Sequence, residues 1–129
     1  MGNLGAYLRP IPAGKTKEIF LENFKDENGK KIPFVVKTIT PKENELIVKR
    51  NTVKGKLDSI AYGNELIVTC LETPNLKDTE LCGFYGVMDP MEVPSLMFTI
   101  GEKQVISDAI TEINDIKMAS NLMNEAKNF

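Results

Sequence analysis

The chain has 129 residues, 42% of them hydrophobic and 26% charged, which suits one ordinary domain able to bury roughly two-thirds of its unfolded surface. A formal net charge of −2 argues against whole-chain attraction to nucleic acid or to an anionic membrane. No apolar run approaches the ~18 residues of a spanning helix, and the N-terminus lacks the basic-then-apolar layout of a signal peptide, so a cytoplasmic protein is expected.

Residues 1–14 hold three glycines and two prolines without periodicity and are expected to form a flexible arm. Gly14-Lys15-Thr16 resembles the end of a phosphate-binding loop, but Arg9 stands where the first glycine belongs, and Pro10 and Pro12 delete N–H groups that would cradle phosphate. Lys17 to Phe24 and Pro33 to Ile39, rich in β-branched and aromatic residues, predict two strands. Between them Asp26-Glu27-Asn28-Gly29 predicts a reversal, with Asn28-Gly29 supplying residues that accept positive φ. A calcium loop fails there on spacing, since the position of the bidentate Glu is Lys37. Pro33 is expected at a strand's first residue or on an edge strand, where its missing N–H is tolerated.

Thr40-Pro41-Lys42-Glu43 is a capping box with proline at the first helical position, so a helix is predicted from Thr40 to about Arg50, with Leu46 and Ile47 inward. Lys49, Arg50, Lys54 and Lys56 then make a basic cluster over the helix end and the linker NTVKGK. Helix-dipole complementarity explains it, and no interleaved aromatics point to nucleic acid. Asp58 caps a second helix to about Leu71, carrying Tyr62, Leu66, Ile67, Cys70 and Leu71 at helical spacing, and Pro74 follows its end. Asp78 and Glu80 open a short helix that carries Leu81, Cys82, Phe84 and Tyr85 and stops at Gly86. Asp89-Pro90 starts an irregular element holding Val93, Pro94, Leu96, Met97 and Phe98. Thr99-Ile100-Gly101-Glu102, a second capping box, opens the longest helix, with Val105, Ile106, Ala109, Ile110, Ile113 and Ile116 as its apolar stripe. The expected fold class is therefore α+β, mostly α: an N-terminal β-hairpin (17–39) packed on a bundle of about four to five helices (40–115). One domain is expected over 15–115, with a C-terminal helical extension over 116–129.

The inventory of chemistry is thin. The chain has no histidine, which removes the commonest general base and any Ser-His or Cys-His nucleophile. Cys70 and Cys82, eleven residues between them, cannot build a metal site alone and are expected to be free, buried thiols. Glu43 and Glu45 lie on different sides of a helix, and Glu72, Asp78 and Glu80 are explained first by capping. No enzyme activity, cofactor or metal is expected. The residues point to a protein that binds.

In its order of signals the sequence resembles the XkdN-like tail assembly chaperones of contractile-tailed bacteriophages and related phage-tail-like particles. The resemblance runs from about Thr16 to Asp115. It is carried by Phe24-Lys25-Asp26 through Gly29, Pro33-Phe34 to Lys37, and Ile39-Thr40 with Glu43. It continues in Tyr62 with Leu66, Ile67 and Cys70, in Pro74-Asn75-Leu76 with Asp78, Glu80 and Leu81, and in Tyr85-Gly86-Val87, Leu96-Met97 and Gly101-Glu102. Lys103-Gln104 departs from the pattern, where an aromatic residue is expected, and the N-terminal arm and the tail after Asp115 lie outside it. The resemblance implies a cytoplasmic protein that binds the tape-measure protein and keeps it soluble during tail tube assembly, and that is absent from the mature particle. Tail tube subunits and further copies of the chain are additional candidate partners, with neither nucleic acid nor membrane expected. The alternative is a structural tail or baseplate component.

Apart from Met1, every methionine falls late: Met88, Met91, Met97, Met118 and Met123. Flexible, polarisable methionine suits a groove that accepts varied apolar partners. Met118, Leu122 and Met123 on the C-terminal segment, together with Met91 and Met88, are the candidate partner contacts. Core filling is the competing reading, above all for Met97 and Met88.

Overall fold

A computed structural model describes residues 4–8 and 14–115. One helical turn, α1 (Leu4–Tyr7), precedes the strands β1 (Thr16–Lys25) and β2 (Lys31–Lys37). After α2 (Pro41–Arg50) come two short strands, β3 (Thr52–Val53) and β4 (Lys56–Leu57), then α3 (Ser59–Cys70) and β5 (Leu71–Thr73). The described chain closes with α4 (Thr79–Phe84), a 3-10 turn (Pro90–Glu92), α5 (Val93–Met97) and α6 (Ile100–Ile113). The fold class is α+β, with antiparallel strands at the N-terminal end.

The turn between β1 and β2 is built by Asp26. Its carboxylate accepts from the Asn28 and Lys30 amides at 2.8 and 3.0 Å, and Gly29 alone takes a positive φ, of 78°. Asn28 is not left-handed as expected, because one αL residue after a tight turn suffices to reverse the chain. β2 is the central strand of a three-stranded sheet ordered β1-β2-β5, so Pro33, its third residue, is neither at a strand start nor on an edge strand. Two features accommodate it. The β1–β2 register shifts just beyond the Phe20–Pro33 pair, and β5 pairs only with Val35 and Val36. The same irregularity lets Phe24 reach the core although it is an odd number of residues from Leu21, against strict alternation.

β5 is the main departure from the sequence reading, which carried the second helix through Leu71. That residue pairs with Val36 and opens the third strand. Leu71 is buried in either assignment, so its apolar character does not separate helix from strand. The stretch read as a linker, 51–56, belongs with Leu57 to a second hairpin whose central residues, Lys54 and Gly55, have φ of 52° and 77°, the pattern of a two-residue primed turn.

The capping boxes form as read. Thr40 Oγ1 accepts from the Glu43 amide at 3.1 Å while Glu43 accepts from the Thr40 amide at 2.9 Å, and Thr99 with Glu102 repeats the arrangement. Glu102 also accepts from Asn23 Nδ2 at 3.2 Å, tying β1 to α6. Ile47 on α2 is buried but Leu46 is half-exposed, and on α6 Val105 is half-exposed while Ile106, Ala109 and Ile110 are buried. Both apolar stripes are thus narrower than predicted. Ile116 lies outside the described residues.

The core joins sheet to helices. Phe34 and Val36 point inward from β2 and meet Ile67, Val68 and Cys70 of α3, Val93 of α5 and Ile106 and Ile110 of α6. Each fully buried Phe or Ile contributes about 1.5–3 kcal/mol relative to exposure. Phe24, Phe34 and Phe98 form a triangle with ring centroids 5.0, 5.8 and 5.9 Å apart. Phe98 is therefore fixed at the end of α5, which decides where the preceding Met97 can lie.

Candidate partner-binding site

The local sequence builds α4 as a short, well-fastened platform. Asp78 accepts from the Leu81 amide at 3.0 Å and so caps the helix start. At the other end the Val87 amide donates to the Cys82 carbonyl and the Gly86 amide to the Gly83 carbonyl, both at 3.1 Å, with Gly86 at φ 70°. These two bonds are those of a Schellman motif, and Val87 packs on the core behind it. Cys82 is buried and its thiol donates to the Leu76 carbonyl at 3.2 Å. The inner face of α4 is thus Cys82 with half-buried Leu81 and Tyr85.

Phe84, two residues from Cys82, cannot share that face. It is 82% exposed, and its ring stands edge-on to Tyr85 with centroids 4.9 Å apart. Leu81, Phe84 and Tyr85 together with Met97 line a shallow, open cleft of about 380 Å³ whose margin carries Asp78 and Glu80. Met88, two residues past Gly86, is 99% exposed. The exposed Phe84 ring, continuous with Leu81, Tyr85 and Met97 in the cleft, makes a contiguous apolar surface of the kind that serves as a contact site.

The sequence-predicted residues fall in three places. Met88 is exposed, which removes the core-filling reading for it. Met91 is half-buried and packed against the core, and Met97 packs on the core while also lining the cleft. Met118, Leu122 and Met123 lie outside the described residues. Phe84 was missed as a contact candidate because it was read as one more apolar residue of its helix, although its offset from Cys82 placed it on the opposite side. Of the three carboxylates considered together, Asp78 and Glu80 share the cleft margin while Glu72 sits in β5.

Other polar clusters are structural. Glu65, nearly buried, accepts from Arg50 through both Nε and Nη2 and from Asn51 Nδ2 at 3.0 Å, locking α2 to α3. Burial raises the Glu65 carboxyl, but hydrogen bonds from Arg50 and Asn51 and the charges of Arg50 and Lys77 outweigh it and hold the group below its ordinary value. Arg50 is thereby committed within the basic cluster. At the phosphate-loop lookalike, the Lys15 amide donates to Thr38 Oγ1 at 3.1 Å and its carbonyl accepts from the Thr38 amide, extending the strand pairing. Lys103, where an aromatic was expected, donates to Asn64 Oδ1 at 2.7 Å and so links α6 to α3. Among the described residues no group of three or more His, Cys, Asp or Glu could hold a metal ion, and no helix is long and apolar enough to cross a membrane.

The described residues thus present an open, mostly apolar cleft on a small α+β domain, a shape suited to contact with another molecule. Over residues 7–127 the sequence matches the model of the phage XkdN-like tail assembly chaperone proteins, and the chain belongs to that family. The match extends beyond the Thr16–Asp115 stretch that carried the resemblance, into both terminal segments. The chain is similar to the phage-like element PBSX protein XkdN of Bacillus subtilis (strain 168), at 30% identity over 132 residues, covering 93% of this chain and 88% of that one. It is also similar to the protein YqbN of the same organism, at 33% identity over 100 residues, covering 70% and 67%. The crystal structure of YqbN superposes with a TM-score of 0.68 at 28% identity, over 79% of this chain and 87% of that one.

Proposed function

We propose that this phage tail assembly chaperone acts in the host cytoplasm by binding the tape-measure protein, keeping it soluble while the tail tube assembles, and leaving before the particle is complete. Membership of the tail assembly chaperone family carries this reading. A long protein with an apolar helical stripe needs that stripe covered until tube subunits arrive, and a helix-in-groove contact does so with main-chain groups already satisfied. Release requires adaptable contacts of moderate strength, which exposed Phe84 and Met88 can supply without a deep pocket.

The test is co-expression with the tape-measure protein encoded alongside. Co-purification, with the partner soluble only when this chain is present, is the expected result. An insoluble partner with nothing co-eluting would remove the central claim. Mass spectrometry of purified particles separates this role from that of a structural tail or baseplate component, which would be present at fixed stoichiometry.

A further inference from the structure

We infer that the cleft between α4 and the end of α5 seats one helix of a partner protein, and that this helix carries lysine or arginine along the flanks of its apolar stripe. Its identification with a segment of the tape-measure protein rests on the function proposed above; the chemistry of the occupant rests on the cleft alone.

Shape comes first. Leu81, Tyr85 and Met97 form a half-buried floor and Phe84 a projecting wall. The wall is held in place: the Tyr85 ring supports it, and the Schellman motif fixes the backbone beneath it. Little side-chain freedom remains to be lost on binding. The six residues of α4 span about 9 Å, which matches the roughly 10 Å covered by positions i, i+4 and i+7 of an opposing helix. A rigid ring that becomes buried between a floor and an incoming helix gains apolar burial at little cost in side-chain freedom.

Charge selects the occupant. The lining of the cleft carries two carboxylates, Asp78 and Glu80, and neither lysine nor arginine. Both are exposed and have no ion-pair partner among the described residues. Of the basic residues that flank the cleft-lining segment in sequence, Lys77 acts on the Glu65 carboxyl and Lys103 is turned to Asn64 and Ser95. An incoming helix therefore meets a one-signed field around an apolar floor, and basic flanks complement it while acidic flanks are repelled.

The proposal is tested with the full-length chain, its Phe84→Asp variant, and a charge-reversed Glu80→Lys variant, all first shown to melt as the wild type does. In co-expression with the tape-measure protein, Phe84→Asp should lower recovery of the complex at least tenfold, and the charge-reversed variant should lower it and abolish its salt sensitivity. Wild-type recovery by Phe84→Asp would overturn the cleft and leave the proposed function standing. If the wild type itself captures no tape-measure protein, the function falls and the cleft is judged with two labelled synthetic helices of identical leucine stripe, one lysine-flanked and one glutamate-flanked. About tenfold tighter binding of the lysine-flanked helix, lost in Phe84→Asp, supports the inference; equal binding or none overturns it. Dimerisation of the wild type that Phe84→Asp abolishes, read by light scattering, would make a second copy the occupant and also overturn it.

Discussion

Phe84 and Tyr85 are neighbours in sequence and meet edge-to-face at 4.9 Å, yet Tyr85 is half-buried against the core and Phe84 is 82% exposed. The pair sits at the end of a helix whose opposite side is pinned by Cys82, so the ring of Phe84 has nowhere inward to go. Stability and binding should therefore separate at this position. Phe84→Ala is expected to cost at most about 1 kcal/mol, the worth of the ring pair. Phe34→Ala, at a site 1% exposed within the aromatic triangle, should cost about 3–5 kcal/mol. Urea unfolding of the two variants checks this, and equal losses would mean that Phe84 is packed.

What the sequence made legible follows from which signals are local. Caps are local: Thr40, Asp58, Asp78, Asp89 and Thr99 each accept from the amide they were positioned to satisfy. Strand pairing is not. Leu71 could be read as the last residue of a helix because its pairing partner, Val36, is thirty-five residues away, and only the assembled sheet distinguishes the two assignments. Val53-Lys54-Gly55-Lys56 hid a hairpin because lysine is a poor φ-positive residue and its strands are two residues long. Of the cleft, Leu81, Tyr85 and Met97 were legible as apolar positions, but their convergence depends on Phe98 anchoring α5.

Two of the left-handed turn positions, Gly86 and Lys54, should respond oppositely to substitution. Gly86→Ala places a Cβ at φ 70°, where the space is open but the backbone is strained, and should cost about 1–2 kcal/mol. Lys54→Asn, at φ 52°, supplies the residue that this turn type prefers and should gain up to about 1 kcal/mol. Thermal denaturation of both variants is the measurement, and a stabilised Gly86→Ala would rule out the strain.

Glu65 should give the protein an acid-side sensitivity. Its carboxyl is held below the ordinary value in the folded state, so its contribution is fully present above the unfolded value of about 4.3 and is lost as pH falls through the folded one. Glu65→Gln keeps the shape but not the charge. It should lower stability at pH 7 by about 1 kcal/mol and flatten the wild-type decline below about pH 4.3. Urea titrations across pH 3 to 7 decide it; a parallel decline in both proteins would assign the acid sensitivity elsewhere.

Cys70 should give an alkaline sensitivity of the opposite sense. The thiol is 0% exposed, and burial, assisted by Glu43 and opposed by Lys37, pushes it up to about 12. An unfolded cysteine ionises near 8.5, so above that pH the unfolded chain sheds a proton that the folded chain keeps. By linkage the Cys70 contribution is complete below about 8.5 and declines as pH rises from there toward 12. The same protonation makes the thiol inert, because the thiolate is the nucleophile. At pH 8, alkylation of Cys70 in the native chain should proceed only as fast as the chain opens, and it should become rapid in urea. Peptide mapping after timed iodoacetamide pulses reports Cys70 separately from Cys82, and rapid labelling of the folded chain would contradict the buried placement that joins α3 to β5.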